Sequence, residues 1–199
     1  MEDTSKIFEE KGYIKVESLV DPKIAEYMSK QLEFLSTIDK SIELGNDAPD
    51  GDNTILNDIE YFGYCVPLLD HLLLGLRERI GAVVGKNLLP TYSYFRKYKK
   101  GNVLQRHTDR PSCEISCTLC LGQSDIWPFY AGDSGPIEMN PGDAVLYKGI
   151  DVVHWRDELE GEFVTQTFLH YVDSDGPYKN WFMDRRGDVY NIGKELNLY

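Results

Sequence analysis

Two histidines and an aspartate form the most chemically informative pattern in the chain. His107 and Asp109 are separated by one residue, and His154 lies in a later apolar segment. Alternate side chains of an extended strand point to the same face, so His107 and Asp109 share a face if this segment is a strand. Two imidazoles and one carboxylate on one side of a metal leave coordination positions open. That arrangement suits an Fe(II) ion that also binds dioxygen and a chelating cosubstrate.

Two other interpretations compete with an Fe(II) site. Zn²⁺ binds similar ligands, but it prefers a closed tetrahedral site or three ligands plus one water. A histidine in the core beside an unrelated surface aspartate would also give the His-x-Asp spacing. The context favours the metal site, because the second histidine follows the turn Pro141-Gly142-Asp143 and a predicted strand, Ala144–Tyr147.

The residue pattern of the C-terminal half predicts β-strands. From Leu89 onward, segments of alternating polarity are separated by turns rich in glycine, proline, asparagine and aspartate. Such spacing is typical of a β-sandwich or barrel. We therefore expect a β core over residues 89–173, with residues 174–199 covering it.

The N-terminal part reads differently. We expect residues 1–88 to be mainly helical support, with a short helix ending at Gly12 and a strand over Tyr13–Val16. Asp21-Pro22 has the residues of a helix start, and that helix should run to about Leu35. A second long helix is predicted over Tyr64–Val84, after a turn-rich loop over Gly45–Asn53. Together these segments predict one α+β domain over residues 1–199, with helices packed on the β core.

Composition limits the partners. The net charge is −12, which disfavours nucleic acid and anionic lipid. The longest apolar run, near Leu72, is far shorter than the ~20 residues of a membrane-spanning helix. The acidic N-terminus lacks the pattern of a signal peptide, so we expect a cytoplasmic protein. Its four cysteines are then expected to be free thiols.

Residues 89–173 resemble the jelly-roll (double-stranded β-helix) core of the 2-oxoglutarate/Fe(II)-dependent dioxygenases, in particular the prolyl-4-hydroxylase-like branch. The segments that carry the resemblance are Tyr98-Lys99-Lys100-Gly101, His107-Thr108-Asp109, Gly135-Pro136, Pro141–Tyr147, and His154 with Gly161 after it. The start Phe8–Tyr13 is also similar to that of many such enzymes. The resemblance implies that His107, Asp109 and His154 bind Fe(II), with 2-oxoglutarate as cosubstrate and ascorbate as an auxiliary reductant.

The resemblance also implies cosubstrate contacts. The family places a tyrosine nine residues before the first metal histidine, and Tyr98 stands there. In the alkylation-repair relatives the residue two before this tyrosine contacts 2-oxoglutarate as well, which here is Arg96. A hydroxyl residue on the next strand assists in the prolyl hydroxylases, and Ser116 is the nearest match.

One position departs from the family pattern. The basic residue usually found two residues after the conserved glycine is replaced by Phe163. A buried dicarboxylate needs a cation for its distal end, because a bare buried carboxylate is costly. Arg96, Arg156 and Arg110 are the candidates for that cation.

The other motifs have ordinary structural explanations. Cys113-x3-Cys117-x2-Cys120 has the spacing of a radical S-adenosylmethionine iron–sulfur motif, but its residues alternate as in a strand, which favours buried cysteines. The aromatic segment Trp127–Tyr130 fits either a substrate mouth or core packing. His170 and His71 are expected to be structural.

Three functions remain open at this point, and a fourth, a nucleic-acid demethylase, is disfavoured by the negative charge. The first is hydroxylation of an unactivated C–H in a prolyl residue or in another amino-acid or peptide substrate. The second is the same chemistry on a small molecule. The third is a cupin-like metal-binding protein without oxygenase activity. The sequence gives no oligomeric state.

Overall fold

Three helices precede most of the β structure. The computed structural model describes residues 3–38, 42–45, 55–57 and 59–184. The helices are α1 (Thr4–Lys11), α2 (Pro22–Leu35) and α3 (Pro67–Val84). The α1 helix ends at Gly12, whose φ of 77° is left-handed and favours glycine. The α2 helix begins as predicted, because the Asp21 carboxylate accepts hydrogen bonds from the first-turn amides of Lys23 and Ile24.

The described strands form two antiparallel sheets. In chain order they are β1 (Tyr13–Val16), β2 (Ile42–Gly45), β3 (Ile55–Leu56), β4 (Ile59–Tyr64), β5 (Leu88–Lys99), β6 (Val103–His107), β7 (Ile115–Gln123), β8 (Tyr130–Ala131), β9 (Ala144–Tyr147), β10 (His154–Arg156) and β11 (Phe163–Asp173). The larger sheet has the order β1-β9-β7-β11-β5-β4-β2, and the smaller has the order β3-β6-β10-β8.

The alternation of side chains along β5 separates two cores. Phe95 points outward and joins the apolar cluster that includes residues of all three helices. Tyr92, Tyr94 and Tyr98 point inward and pack with Trp127 from the segment before β8. The interior between the sheets is therefore lined by even-numbered residues of β5, as period-two alternation requires.

The N-terminal region contributes more strands than the sequence analysis predicted. Besides its three helices it supplies β1, β2 and β4 to the larger sheet and β3 to the smaller. The third helix begins at Pro67, not at Tyr64, which is the last residue of β4. Pairing with β5 decides the state of this segment, and such a long-range contact overrides local propensity. In the predicted loop Gly45–Asn53, Gly45 belongs to β2 and the rest lies outside the described residues.

The chain after β11 packs against the start of β5. A short 3₁₀ turn spans Lys179–Trp181, and the Met183 amide donates to the carbonyl of Pro90. The remainder of the predicted cover, residues 185–199, lies outside the described part of the chain. Within the described ranges, no helix has the length and apolar character needed to cross a membrane.

Candidate active site

The two histidines face each other across the smaller sheet. His107 is the last residue of β6, His154 is the first residue of β10, and the antiparallel register pairs them directly. Asp109 follows β6, and its amide donates to the Gly149 carbonyl at 2.8 Å. Strand pairing and this single backbone contact thus bring the three predicted ligands together.

The ligand atoms of His107, Asp109 and His154 converge. Asp109 Oδ1 lies 3.6 Å from His107 Nε2 and 3.5 Å from His154 Nε2. The three ligand atoms lie within 4.8 Å of one another, close enough for one metal ion. Each histidine Nδ1 lies within hydrogen-bond distance of a backbone carbonyl, at 2.7 Å for Gln105 and 2.9 Å for Val152. Because a carbonyl only accepts, Nδ1 carries the proton and the Nε2 lone pair is available to a metal.

The carboxylate of this group is held in its ionised form. Burial by itself raises the pKa of Asp109, but His154, His170 and His107 lower it below its usual value. The Ser116 hydroxyl donates to Asp109 Oδ2 at 3.0 Å, leaving Oδ1 directed at the histidines. The donor set is therefore two imidazole nitrogens and one carboxylate oxygen, which suits Fe(II) and leaves coordination positions open.

A buried arginine lies two residues beyond His154. Arg156 is only 1% exposed and lies between the rings of Trp127 and Phe129. Its Nη1 donates to the Trp127 carbonyl, while no described residue accepts a hydrogen bond from its buried Nη2. Burial lowers the pKa of Arg156 to about 10, although Tyr98 and Tyr147 act in the opposite direction. A buried cation with a free donor is suited to an anionic group.

The other two cations occupy different surroundings. Arg96 points inward from β5, over the rings of Tyr94 and Phe168, with its Nη1 3.5 Å from the Tyr98 hydroxyl. Arg110 forms an ion pair with Asp184 at 2.6 Å. Arg110 is therefore already neutralised by a carboxylate of the C-terminal segment.

The remaining predicted residues are also placed. Tyr98 is fully buried and contacts Trp127 edge to face, with ring centroids 4.9 Å apart. Trp127 and Phe129 are buried core residues. Tyr130 stacks on the ring of Trp155, the middle residue of β10. The segment Trp127–Tyr130 is thus explained by packing.

The cysteines belong to separate apolar clusters. Cys117 packs on the helical side of the larger sheet, Cys120 packs with Phe129, and Cys113 joins the inner aromatic cluster. All four cysteines lie within the described residues, and none of them forms a disulfide. Strand alternation separates Cys117 from Cys120, so the spacing of the three does not produce a cluster site.

The sequence analysis did not predict that His170 and Gly149 lie beside the candidate metal site. His170 is buried inside the barrel, and its Nδ1 lies 3.0 Å from Ser116 Oγ. Burial lowers the pKa of His170 to about 4. His170 lies two residues after Phe168 on β11, and alternate residues of a strand share a face. Since Phe168 belongs to the inner aromatic cluster, this spacing indicates that His170 points inward. A Cβ added at Gly149 would lie 2.5 Å from Asp109 Oδ2, so the backbone approaches the carboxylate closely here.

A separate surface cleft lies at the end of α3. Its volume is about 670 Å³, and its lining includes Arg77, Lys86 and Ser174. It contains none of the predicted site residues, and Lys86 pairs with Asp173 at 2.9 Å. The cleft is therefore separate from the candidate metal site formed by His107, Asp109 and His154.

Comparison with solved structures identifies the fold. A prolyl-4-hydroxylase from Pseudomonas putida aligns with a TM-score of 0.62 and 14% identity, over 84% of this chain and 96% of that one. SnoK, a non-haem alpha-ketoglutarate-dependent carbocyclase from nogalamycin biosynthesis, aligns at 0.67 with 11% identity, over 96% and 90%. HygX from Streptomyces hygroscopicus, with nickel and 2-oxoglutarate bound, aligns at 0.63 with 14% identity, over 88% of each chain.

These likenesses confirm the predicted architecture. The chain has the double-stranded β-helix fold of the 2-oxoglutarate/Fe(II) oxygenases, with helices packed on the larger sheet, and the α+β class is correct. No protein-family model and no curated protein matches the chain by sequence.

Proposed function

We propose that this protein is an Fe(II)/2-oxoglutarate-dependent dioxygenase that hydroxylates an unactivated C–H bond. The observation that carries the proposal is the convergence of His107, Asp109 and His154, with both Nε2 atoms within 3.6 Å of Asp109 Oδ1. The fold supports it, because structures of the same fold include an oxidoreductase of the 2OG-Fe(II) oxygenase family from Burkholderia pseudomallei, a prolyl-4-hydroxylase, and HygX with 2-oxoglutarate bound. His107, Asp109 and His154 would hold the iron.

Arg156 would bind the distal carboxylate of 2-oxoglutarate. It lies on the same side as the candidate ligand His154, since both side chains contact the ring of Phe129. Its buried Nη2 has hydrogens to donate, and Tyr98 is close enough to raise the pKa of the Arg156 guanidinium. Tyr98 would contribute a hydroxyl to the same carboxylate. Arg156 therefore replaces the cation missing at Phe163, with Arg96 beside the Tyr98 hydroxyl as the secondary contact.

The protein's contribution would be geometry and exclusion of water. Iron with 2-oxoglutarate supplies dioxygen activation coupled to loss of CO₂, which gives succinate and the oxidising power for hydroxylation. The Gln105 and Val152 carbonyls fix the ring orientations of His107 and His154. Phe129 and Tyr147 pack against the ring of His154 and shield that side of the centre from solvent.

The substrate would approach the aromatic inner face of the larger sheet. Tyr92, Tyr94 and Phe168 retain 7–8% exposure there, and Tyr92 contacts His170 beside Asp109. Flat apolar rings of this kind pack against a prolyl ring or another cyclic group. We propose a prolyl residue, or another amino-acid or peptide substrate, as the group that is hydroxylated.

A small-molecule substrate is the second candidate. The observation in its favour is the HygX structure with hygromycin B bound, which aligns with this chain at a TM-score of 0.64. A peptide library and a metabolite mixture would be incubated separately with protein, Fe(II), 2-oxoglutarate and ascorbate. Mass spectrometry would then show which of the two gains one oxygen atom.

Succinate formation tests the activity itself. The wild type should convert 2-oxoglutarate to succinate slowly without substrate, and Asp109→Ala should not. Tight binding of Mn²⁺ without succinate formation or 2-oxoglutarate binding would favour the cupin-like alternative and contradict the oxygenase. The exposed His71 provides a matched control, because His71→Ala removes an imidazole on α3 away from the triad.

A further inference from the structure

A buried hydrogen-bond chain lies behind the candidate metal-binding carboxylate. Ser116 Oγ is 3.0 Å from Asp109 Oδ2 and 3.0 Å from His170 Nδ1. Ser116 is fully buried and His170 is 6% exposed. These hydrogen bonds thus connect β7 and β11 of the larger sheet to Asp109, which follows β6 of the smaller sheet.

The direction of the hydrogen bonds follows from the donors present. Ser116 has one hydroxyl proton and four polar neighbours: Asp109 Oδ2, His170 Nδ1, the Cys113 carbonyl at 3.1 Å and the Tyr147 hydroxyl. An ionised carboxylate and a carbonyl only accept, whereas His170 Nδ1 and the Tyr147 hydroxyl are able to donate. The carboxylate is the strongest acceptor, so the serine proton goes to Asp109 Oδ2. With that proton used, His170 Nδ1 must carry its own proton and donate to Ser116, because two lone pairs 3.0 Å apart would repel each other.

The surroundings fix this arrangement. The His170 ring packs on Tyr92 with centroids 4.4 Å apart, and the Tyr92 hydroxyl is 3.1 Å from Cys113 Sγ. Gly149 leaves room for the Asp109 carboxylate and the Ser116 hydroxyl, since a Cβ there would lie 2.5 Å from Asp109 Oδ2 and 2.7 Å from Ser116 Oγ. The carboxylate is therefore restrained on its Oδ2 side by a hydroxyl and by backbone.

We propose that Ser116 and His170 are positioning residues that hold Asp109 so that only Oδ1 reaches the metal. This inference rests on the proposed function, because it presupposes a metal at His107, Asp109 and His154. It departs from the cosubstrate contact that the resemblance implied for Ser116. Without the restraint, Asp109 could rotate to bind through both oxygens and close a position that oxygen chemistry needs.

Metal affinity and the Co²⁺ spectrum provide the test. Ser116→Ala should weaken Mn²⁺ and Co²⁺ binding by about 10- to 100-fold, the range found when groups that orient metal ligands are removed. The visible spectrum of the Co²⁺-loaded protein should change, because the number of carboxylate oxygens on the metal changes. Ser116→Thr keeps the hydroxyl and should retain most of the wild-type affinity.

Two substitutions at His170 separate an atom-specific role from simple packing. An asparagine amide nitrogen lies near the position of the histidine Nδ1, whereas the glutamine amide reaches toward Nε2. His170→Asn should therefore retain the wild-type spectrum, and His170→Gln should resemble Ser116→Ala. Thr165→Val is the matched control, because Thr165 Oγ1 is buried and has no partner among the described residues.

The outcomes distinguish this inference from the proposed function. If the wild type binds neither metal, the oxygenase proposal fails and the positioning role fails with it. If the wild type binds metal and Ser116→Ala and His170→Gln match it in affinity and spectrum, the positioning role alone is overturned. Weakening by Thr165→Val as large as by Ser116→Ala would also overturn it, since a general loss of packing would then explain both.

Discussion

His107 and His154 are directly paired across the antiparallel β6–β10 ladder, with ring centroids 4.2 Å apart. Directly opposed residues of neighbouring strands bring their side chains together on one face. Each ring is turned by its own backbone hydrogen bond, from Nδ1 to the carbonyl two residues earlier. The strand register therefore brings together two of the three candidate ligands before Asp109 is considered.

Removal of one imidazole should abolish metal binding. His154→Ala leaves two ligands, and we expect the affinity for Mn²⁺ to fall by more than about 100-fold, beyond the effect of removing an orienting group. Isothermal titration calorimetry measures this directly. Unchanged affinity in His154→Ala, with His71→Ala as control, would refute the assignment of His154 as a ligand.

Arg156→Met should separate cosubstrate binding from stability. The methionine fills similar space without an unpaired buried charge, so the apo protein should unfold at an equal or higher urea concentration. Binding of 2-oxoglutarate to the Mn²⁺-loaded protein should weaken by about 2–5 kcal/mol, because its distal carboxylate loses a buried partner. Arg77→Met on α3 is the control. Wild-type 2-oxoglutarate affinity in Arg156→Met would assign the distal carboxylate to another residue.

Gly149→Ala should displace the Asp109 carboxylate. The added Cβ would contact the Cys113 carbonyl and lie 2.5 Å from Asp109 Oδ2. We expect overpacking to cost about 1–3 kcal/mol of unfolding free energy and metal affinity to fall as well. Gly135→Ala is the matched control, because nothing lies within 4 Å of a Cβ there. Equal metal affinity and stability in the two variants would show that the close approach at Gly149 is unimportant.

Asp143 should make stability depend on pH. Burial raises the pKa of this carboxyl. The amides of Asn140 and Ser18 and the Lys15 ammonium lower it by more, so the pKa lies below its usual value. A depressed folded pKa means that the stabilisation is complete above the unfolded pKa, near 3.9. It is lost as pH falls through the folded pKa.

Asp143→Asn is the variant that tests this pH dependence. It should lower the unfolding free energy at pH 7 by about 1.5–3 kcal/mol, the usual worth of hydrogen bonds to a charged group. The difference from wild type should shrink toward pH 2 in urea titrations followed by circular dichroism. A difference that stays constant from pH 7 to pH 2 would contradict the assigned role of the charge.

The sequence by itself determined the local features of this protein. Asp21-Pro22 starts a helix because the aspartate side chain satisfies free amides, and Gly12 ends one because it tolerates positive φ. Period-two alternation placed Arg96 and Tyr98 on one face of β5, and the His-x-Asp spacing with a later histidine indicated the candidate ligands. These features depend on neighbours in the chain, so they can be read from residue types.

Tertiary structure decided everything that depends on contacts between distant segments. The sequence offered Arg96, Arg110 and Arg156 as equivalent cations, and only packing shows Arg110 paired with Asp184 and Arg156 buried with a free donor. His170 likewise reaches Ser116 only because β11 pairs with β7 in a register that places residue 170 opposite residue 116. Burial and charge pairing are properties of the folded surroundings, and a residue's type and spacing do not contain them.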